Sequence, residues 1–181
     1  MGTRGFIGFV AEGRETIVYN HWDSYPSGLG LDVLHFARSV TDWDAAKQQA
    51  AALVHIDPDV PPTEEQKVLL KRWEDPDVGG AGDGWYQLLR GTQGDPAAIL
   101  AAGHAEHDPD WPGSSLFCEW GYLLDLDARV LEVYEGFQEE PHSAGRFADR
   151  PGCDGYTPVK LVASWPLREL PEDDALLACE N

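Results

Sequence analysis

The sequence predicts an α+β fold with a mainly antiparallel sheet, on three observations. The chain opens with a pair of β-rich runs. It closes with three more, and the helix-patterned, capped segments lie between the two groups. The order β-β, helices, β-β-β segregates the helices in the middle of the chain. With no internal repeat, low-complexity tract or interdomain linker, residues 1–181 are expected to form a single domain.

Arg4 to Val10 and Glu15 to Asn20 are rich in β-branched and aromatic residues and flank the turn "AEGRE", which predicts a hairpin. Gly28 and Gly30 break the chain before "LDVLHFARSV", where Leu31, Leu34, His35 and Arg38 recur at helical spacing. Thr41 is the expected N-cap of a second helix running through "DWDAAKQQAAALVHI", with Trp43, Ala46, Ala50, Leu53 and Val54 on its apolar face. Thr63 and Gln66 form a capping-box signature for a helix through Trp73. The Gly/Asp-rich run "EDPDVGGAGDG" predicts a loop, and two short helices follow in "WYQLLR" and "DPAAILAAG". The second of these has Asp95 as its cap, Pro96 in its first turn and Gly103 at its end. "LFCEWGYLLDLDARVLEVYEGF" predicts two strands covered on both faces, joined by "DLDAR". A polar loop from Gln138 to Tyr156, a fifth strand in "PVKLVASW" and a short helix in the tail complete the chain.

Composition narrows the function. Hydrophobic residues make up 43% and charged residues 25%, with seven Trp, so the chain has material for a core. Thirteen Lys and Arg against 32 Asp and Glu give a net charge of −19, which repels phosphates and anionic lipid. No direct nucleic-acid or membrane binding is expected. The acidic residues are scattered rather than set in the regular rows of a nucleic-acid mimic. Cys118, Cys153 and Cys179 form no CxxC pair and suit a reducing compartment, and the apolar run Phe6–Ala11 is short for a leader or a membrane span. The expectation is a cytoplasmic protein. No phosphate-loop, dinucleotide, nucleophile-elbow or zinc-protease motif is present, and no cofactor is expected.

The stretch "YNHWDSYP" carries the densest polar and aromatic content. In an extended chain Tyr19, His21 and Asp23 share one side, and Asn20, Trp22 and Ser24 the other. His21 oriented by Asp23 would be a general acid or base; the bland alternative has Asp23 and Ser24 capping a turn. Arg4 falls near the same end of the hairpin, where it would hold an anionic group or form an ion pair with Asp23. Glu119, expected on a central strand, needs a partner, and Arg4 or His21 would supply one. The catalytic candidates are therefore His21, Asp23 and Glu119. The ligand-binding candidates are Arg4, Tyr19, Asn20, Ser24 and Tyr25. Cys118 on a buried strand is expected to be inert. In "HAEHD", a metal site at His104, His107 and Asp108 is the weaker alternative, set in what is expected to be a surface loop.

The blocks "MGTRGFIGF", "YNHWDSYPSGLG" and "LFCEWGYLLDLD…LEVYEGF" resemble an uncharacterised family of small bacterial, phage and fungal proteins, which open on Met-Gly-Thr-Arg-Gly and carry a Tyr-Asn-His-x-Asp-Ser-Tyr-Pro block. This resemblance implies membership and no particular activity. More loosely, the opening hairpin with its polar end resembles N-terminal-nucleophile hydrolase folds. Gly2 offers no nucleophile and Thr3 would require a further cleavage. The expected function is binding or hydrolysis of a small polar or anionic molecule at the end of the hairpin. The alternative is a non-enzymatic acidic interaction or inhibitor protein with a basic protein partner, such as a defence or counter-defence factor.

Overall fold

Glu12 and Gly13 both adopt left-handed backbone, with φ of 54° and 72°. A two-residue hairpin turn needs this if its twist is to match that of its strands. Strands β1 (Gly5–Ala11) and β2 (Arg14–Asn20) pair antiparallel on either side of it. The Asp127 carboxylate locks the tip, accepting the N–H of Glu12 at 2.9 Å and of Gly13 at 2.8 Å, with Lys47 Nζ at 2.6 Å. Lys47 first, then those two N–H groups, hold the Asp127 carboxyl at about 2.

The computed structural model of the chain describes residues 2–78 and 84–180. Residues 79–83 of the expected Gly/Asp-rich loop lie outside them. The sheet adds β5 (Trp120–Asp125), β6 (Val130–Glu135) and β7 (Lys160–Pro166) in the order β2-β1-β5-β6-β7. The α+β class and its mainly antiparallel sheet are as expected, but β1 and β5 pair in parallel, so the sheet is mixed. Parallel pairing requires a long crossover. The whole middle of the chain supplies it.

Each face of the sheet has its own cover. Ile7, Phe9, Trp120, Tyr122, Leu124, Leu131 and Val133 pack under α1 (Leu31–Ser39), α2 (Trp43–Ala51), α5 (Pro96–Ala102) and α6 (Asp173–Leu177). Phe6, Val10, Ile17, Leu123 and Tyr134 face the other way. There the irregular segment between β6 and β7 covers them with Phe147 and Val159. A bulge opposite Val133 and Tyr134 reverses the parity of β7, so Leu161 faces the irregular layer while Ala163 and Trp165 face the helices.

A smaller lobe holds α3 (Glu64–Leu70), α4 (Trp85–Leu88) and two parallel three-residue strands, β3 (Val54–Ile56) and β4 (His104–Glu106). Leu70, Trp85, Leu88, Leu89, Ile56 and Ala102 form its own core. Both small strands correct the sequence expectation. The second helix stops at Ala51, after which Val54–Ile56 pairs with β4; a strand of three residues is stabilised by its partner rather than by its own pattern. The cap is Asp42 rather than Thr41, its carboxylate accepting from Asp44 and Ala45 N–H. In α1 the buried face is Val33, Leu34 and Ala37, while Arg38 reaches out to Asp173. The capping box of Thr63 and Gln66 is formed, and Gly103 ends α5 at φ 67°.

Candidate functional site

The hairpin brings together only part of the expected set. The Tyr19 hydroxyl and His21 Nδ1 lie 2.7 Å apart, on consecutive residues of one side of the extended chain. Asp23 is not with them. Its backbone turns left-handed at φ 51°, and its side chain is exposed and makes no hydrogen bond among the described residues. The carboxylate instead lies over Gly28, where a Cβ would stand 2.8 Å from Asp23 Cγ. The expected His21–Asp23 dyad is therefore absent, because the turn has already reversed the chain when Asp23 is reached.

Asn20 and Ser24 meet on the opposite side and build the turn. The Asn20 amide donates to Ser24 Oγ at 2.9 Å and to the Trp22 carbonyl at 2.5 Å, and the buried Tyr122 hydroxyl donates to the Ser24 carbonyl at 3.0 Å. These groups are satisfied by the protein itself. Tyr25 is exposed, and its carbonyl accepts the N–H groups of Gly28 and Gly30.

Arg4 forms no ion pair among the described residues, neither with Asp23 nor with Glu119. Its guanidinium lies 5.1 Å over the Phe117 ring. Its backbone N–H donates to Glu119 Oε1 at 3.3 Å, and its carbonyl accepts the Glu119 N–H at 2.9 Å. Glu119 thus continues the β1–β5 pairing just before the strand begins. Cys118 beside it is fully buried, and burial pushes its thiol well above the usual range, as expected of an inert cysteine.

Tyr19 also faces a cavity whose walls from the smaller lobe the sequence did not point to. The cavity, of about 160 Å³, lies between β2 and the smaller lobe. Val18, Ile99, Leu89 and Ala105 line it with the rings of Tyr19, Trp85 and Tyr86. Thr92, Gln93, Glu106 and Asp108 supply the polar groups. Burial raises the Tyr19 hydroxyl, with the nearby Arg4 guanidinium pulling against it. Its ring stands edge-on to Trp111, centroids 4.9 Å apart, while the Trp111 indole donates to the Gly5 carbonyl at 3.0 Å. Burial also raises the Glu106 carboxyl, aided by the charge of Asp108. A perturbed carboxyl beside a cavity is a common mark of a working site.

The metal alternative is not assembled. His104 lies in β4, not in a loop, and its ring stacks with Trp85 at 6.4 Å. His107 Nδ1 accepts the Ile17 N–H at 2.9 Å, and Asp108 Oδ1 accepts from Asp110 and Trp111 N–H. No group of three potential metal ligands occurs among the described residues. Two adjacent aromatics opening α4, Trp85 buried and Tyr86 half exposed, were the one local signal for the cavity wall.

Fold and site together define an α+β domain with an aromatic-walled cavity between the sheet edge and a helical lobe. No family model, curated protein or solved structure matches the chain. Among the described residues, no helix is long and apolar enough to cross a membrane.

Proposed function

We propose that this is a small-molecule-binding domain whose ligand occupies the cavity beside Tyr19. The carrying observation is the cavity itself, concave and aromatic, with Tyr19 joining it to His21. Binding is favoured over hydrolysis. His21 has Tyr19 as partner and no orienting carboxylate, and the Cys118 thiol is buried. An N-terminal-nucleophile reaction has little support, since the Thr3 hydroxyl is buried without a hydrogen-bond partner.

Amide-resolved NMR with a small fragment collection tests the reading. Shifts should gather on Val18, Tyr19, Leu89, Thr92 and Ala105, and Tyr86→Ala should weaken them. Hits confined to other surfaces would reject it.

A second reading, an acidic interaction protein, is favoured by α3, which exposes Val68 and Leu69 beside Glu64 and Glu65. It predicts salt-sensitive capture of a basic protein, lost in Val68→Ser/Leu69→Ser and unchanged in His21→Ala.

A further inference from the structure

We infer that the cavity beside Tyr19 takes an organic cation, an ammonium or amidinium group on a body about the size of a benzene ring; this rests on the small-molecule reading above. The sequence had suggested an anionic ligand held by Arg4. The cavity argues for the opposite charge.

Its lining contains two carboxylates, Glu106 and Asp108, and no lysine, arginine or histidine. Arg4 is not part of the wall. Two guanidinium groups stand behind lining residues: Arg4 acts on the Tyr19 hydroxyl, and Arg90 donates to Gln93 Oε1 and lies 5.9 Å from the Tyr86 ring centroid. An anion entering here would meet two like charges in the wall and no cationic side chain belonging to it.

Several of the other polar atoms of the lining are already engaged. Thr92 Oγ1 donates to the Leu89 carbonyl at 2.8 Å, and Asp108 Oδ1 accepts two backbone N–H groups. The Tyr19 hydroxyl is bonded to His21. Glu106 is exposed at the cavity and its carboxylate accepts no hydrogen bond from any described residue, while the neighbouring Asp108 disfavours its charge. A bound cationic donor would relieve both conditions at once. Tyr19, Trp85 and Tyr86 supply aromatic rings to the lining, and the face of such a ring attracts cations and neutral apolar bodies but not anions. Size completes the class. A cavity of about 160 Å³ is close to the roughly 150 Å³ that admits benzene.

The test is an amide-resolved NMR titration with three probes of one shape: benzylamine, benzyl alcohol and benzoate. Benzylamine should shift Val18, Tyr19, Ala105 and Glu106 with a half-saturation at least about tenfold below that of benzyl alcohol, and benzoate should not shift them. Glu106→Gln should bring benzylamine to the level of the alcohol while leaving the alcohol unchanged, which also shows that the variant is folded. Equal binding of amine and alcohol, or an amine response unchanged in Glu106→Gln, would overturn the cation assignment and leave the cavity as a site. If none of the three probes moves the lining residues, both the assignment and the small-molecule reading fall.

Discussion

The imidazole rings of His55 and His107 stack with centroids 4.3 Å apart and planes tilted by 35°. His55 lies in β3 and His107 just beyond β4, and both are bonded to edge strand β2. His55 Nε2 is 2.8 Å from Thr16 Oγ1, and His107 Nδ1 accepts the Ile17 N–H at 2.9 Å. A protonated imidazole has no lone pair for that N–H. The smaller lobe is therefore docked on the sheet edge through two neutral histidines.

Stability should consequently fall with acid in a defined window. Burial, then His107 and Arg14, bring His55 down from 6.5 to about 4. Burial likewise lowers His107, although Glu15 and Asp108 pull the other way and Arg14 adds to the lowering. With folded values below 6.5, the unfolded chain binds more protons between about 4 and 6.5. This contribution is fully present above the unfolded value and is lost as the pH falls through it toward 4. Both histidines keep partial contact with solvent, which screens the effect, so the loss for the pair should be on the order of 1 kcal/mol. Urea denaturation between pH 7.5 and 4.5 should show it, and His55→Gln/His107→Gln should flatten the slope. An unchanged slope in the double variant would refute the docking role.

Arg146 should be worth far more than a surface cation. It holds Asp125 Oδ2 at 2.5 Å and Glu132 Oε2 at 2.9 Å, while the buried Tyr134 hydroxyl donates to Glu132 at 2.7 Å. Asp125 is only 6% exposed. Removing the guanidinium strands a buried carboxylate beside a second one, a change that costs about 3 kcal/mol. Arg146→Met should lower the urea midpoint accordingly. It should also speed proteolysis between β6 and β7, because Arg146 ties that segment to the sheet.

Asp23 and Tyr19 should separate cleanly, because only one of them touches His21. Asp23→Asn should leave stability within about 0.5 kcal/mol and the His21 ring nitrogens unmoved in NMR. Tyr19→Phe removes the hydroxyl at 2.7 Å from Nδ1. It should shift those nitrogens and cost about 1 kcal/mol. Movement of the ring nitrogens in Asp23→Asn would restore the dyad.

These cases show what the sequence could convey. Local chemistry was legible: the hairpin turn, the Thr63–Gln66 box, the Asp95 cap and the Gly103 stop each depend on residues a few positions apart. The sequence predicts a helix past Ala51 because "AALVHI" has no Gly or Pro to stop it. The stop comes from β4, far along the chain, which offers Val54–Ile56 a partner. The parallel β1–β5 pairing, the His55–His107 stack and the cavity all join distant segments, and no periodicity encodes such meetings. At the candidate site, Tyr19 with His21 was legible because they alternate along one strand. Glu106 and Trp85 were not, because only the crossover brings them to β2.

The close approach of Gly121 to Phe6 makes a final, sharp prediction. The two residues are paired across β5 and β1, and a Cβ on Gly121 would stand 2.0 Å from Phe6 Cε1. Phe6 cannot swing aside easily. It is fully buried, edge-on to Phe147 at 5.7 Å and tilted against Tyr134 at 6.2 Å. Gly121→Ala should therefore destabilise by about 2–3 kcal/mol through overpacking. Phe6→Leu alone should cost about 1 kcal/mol or more through lost ring contacts. Together they should cost less than their sum, because the smaller side chain vacates the space that the new methyl needs. A urea-denaturation double-mutant cycle measures this coupling. A favourable term above about 1 kcal/mol is expected; strict additivity would mean that β1 and β5 absorb the methyl by shifting apart.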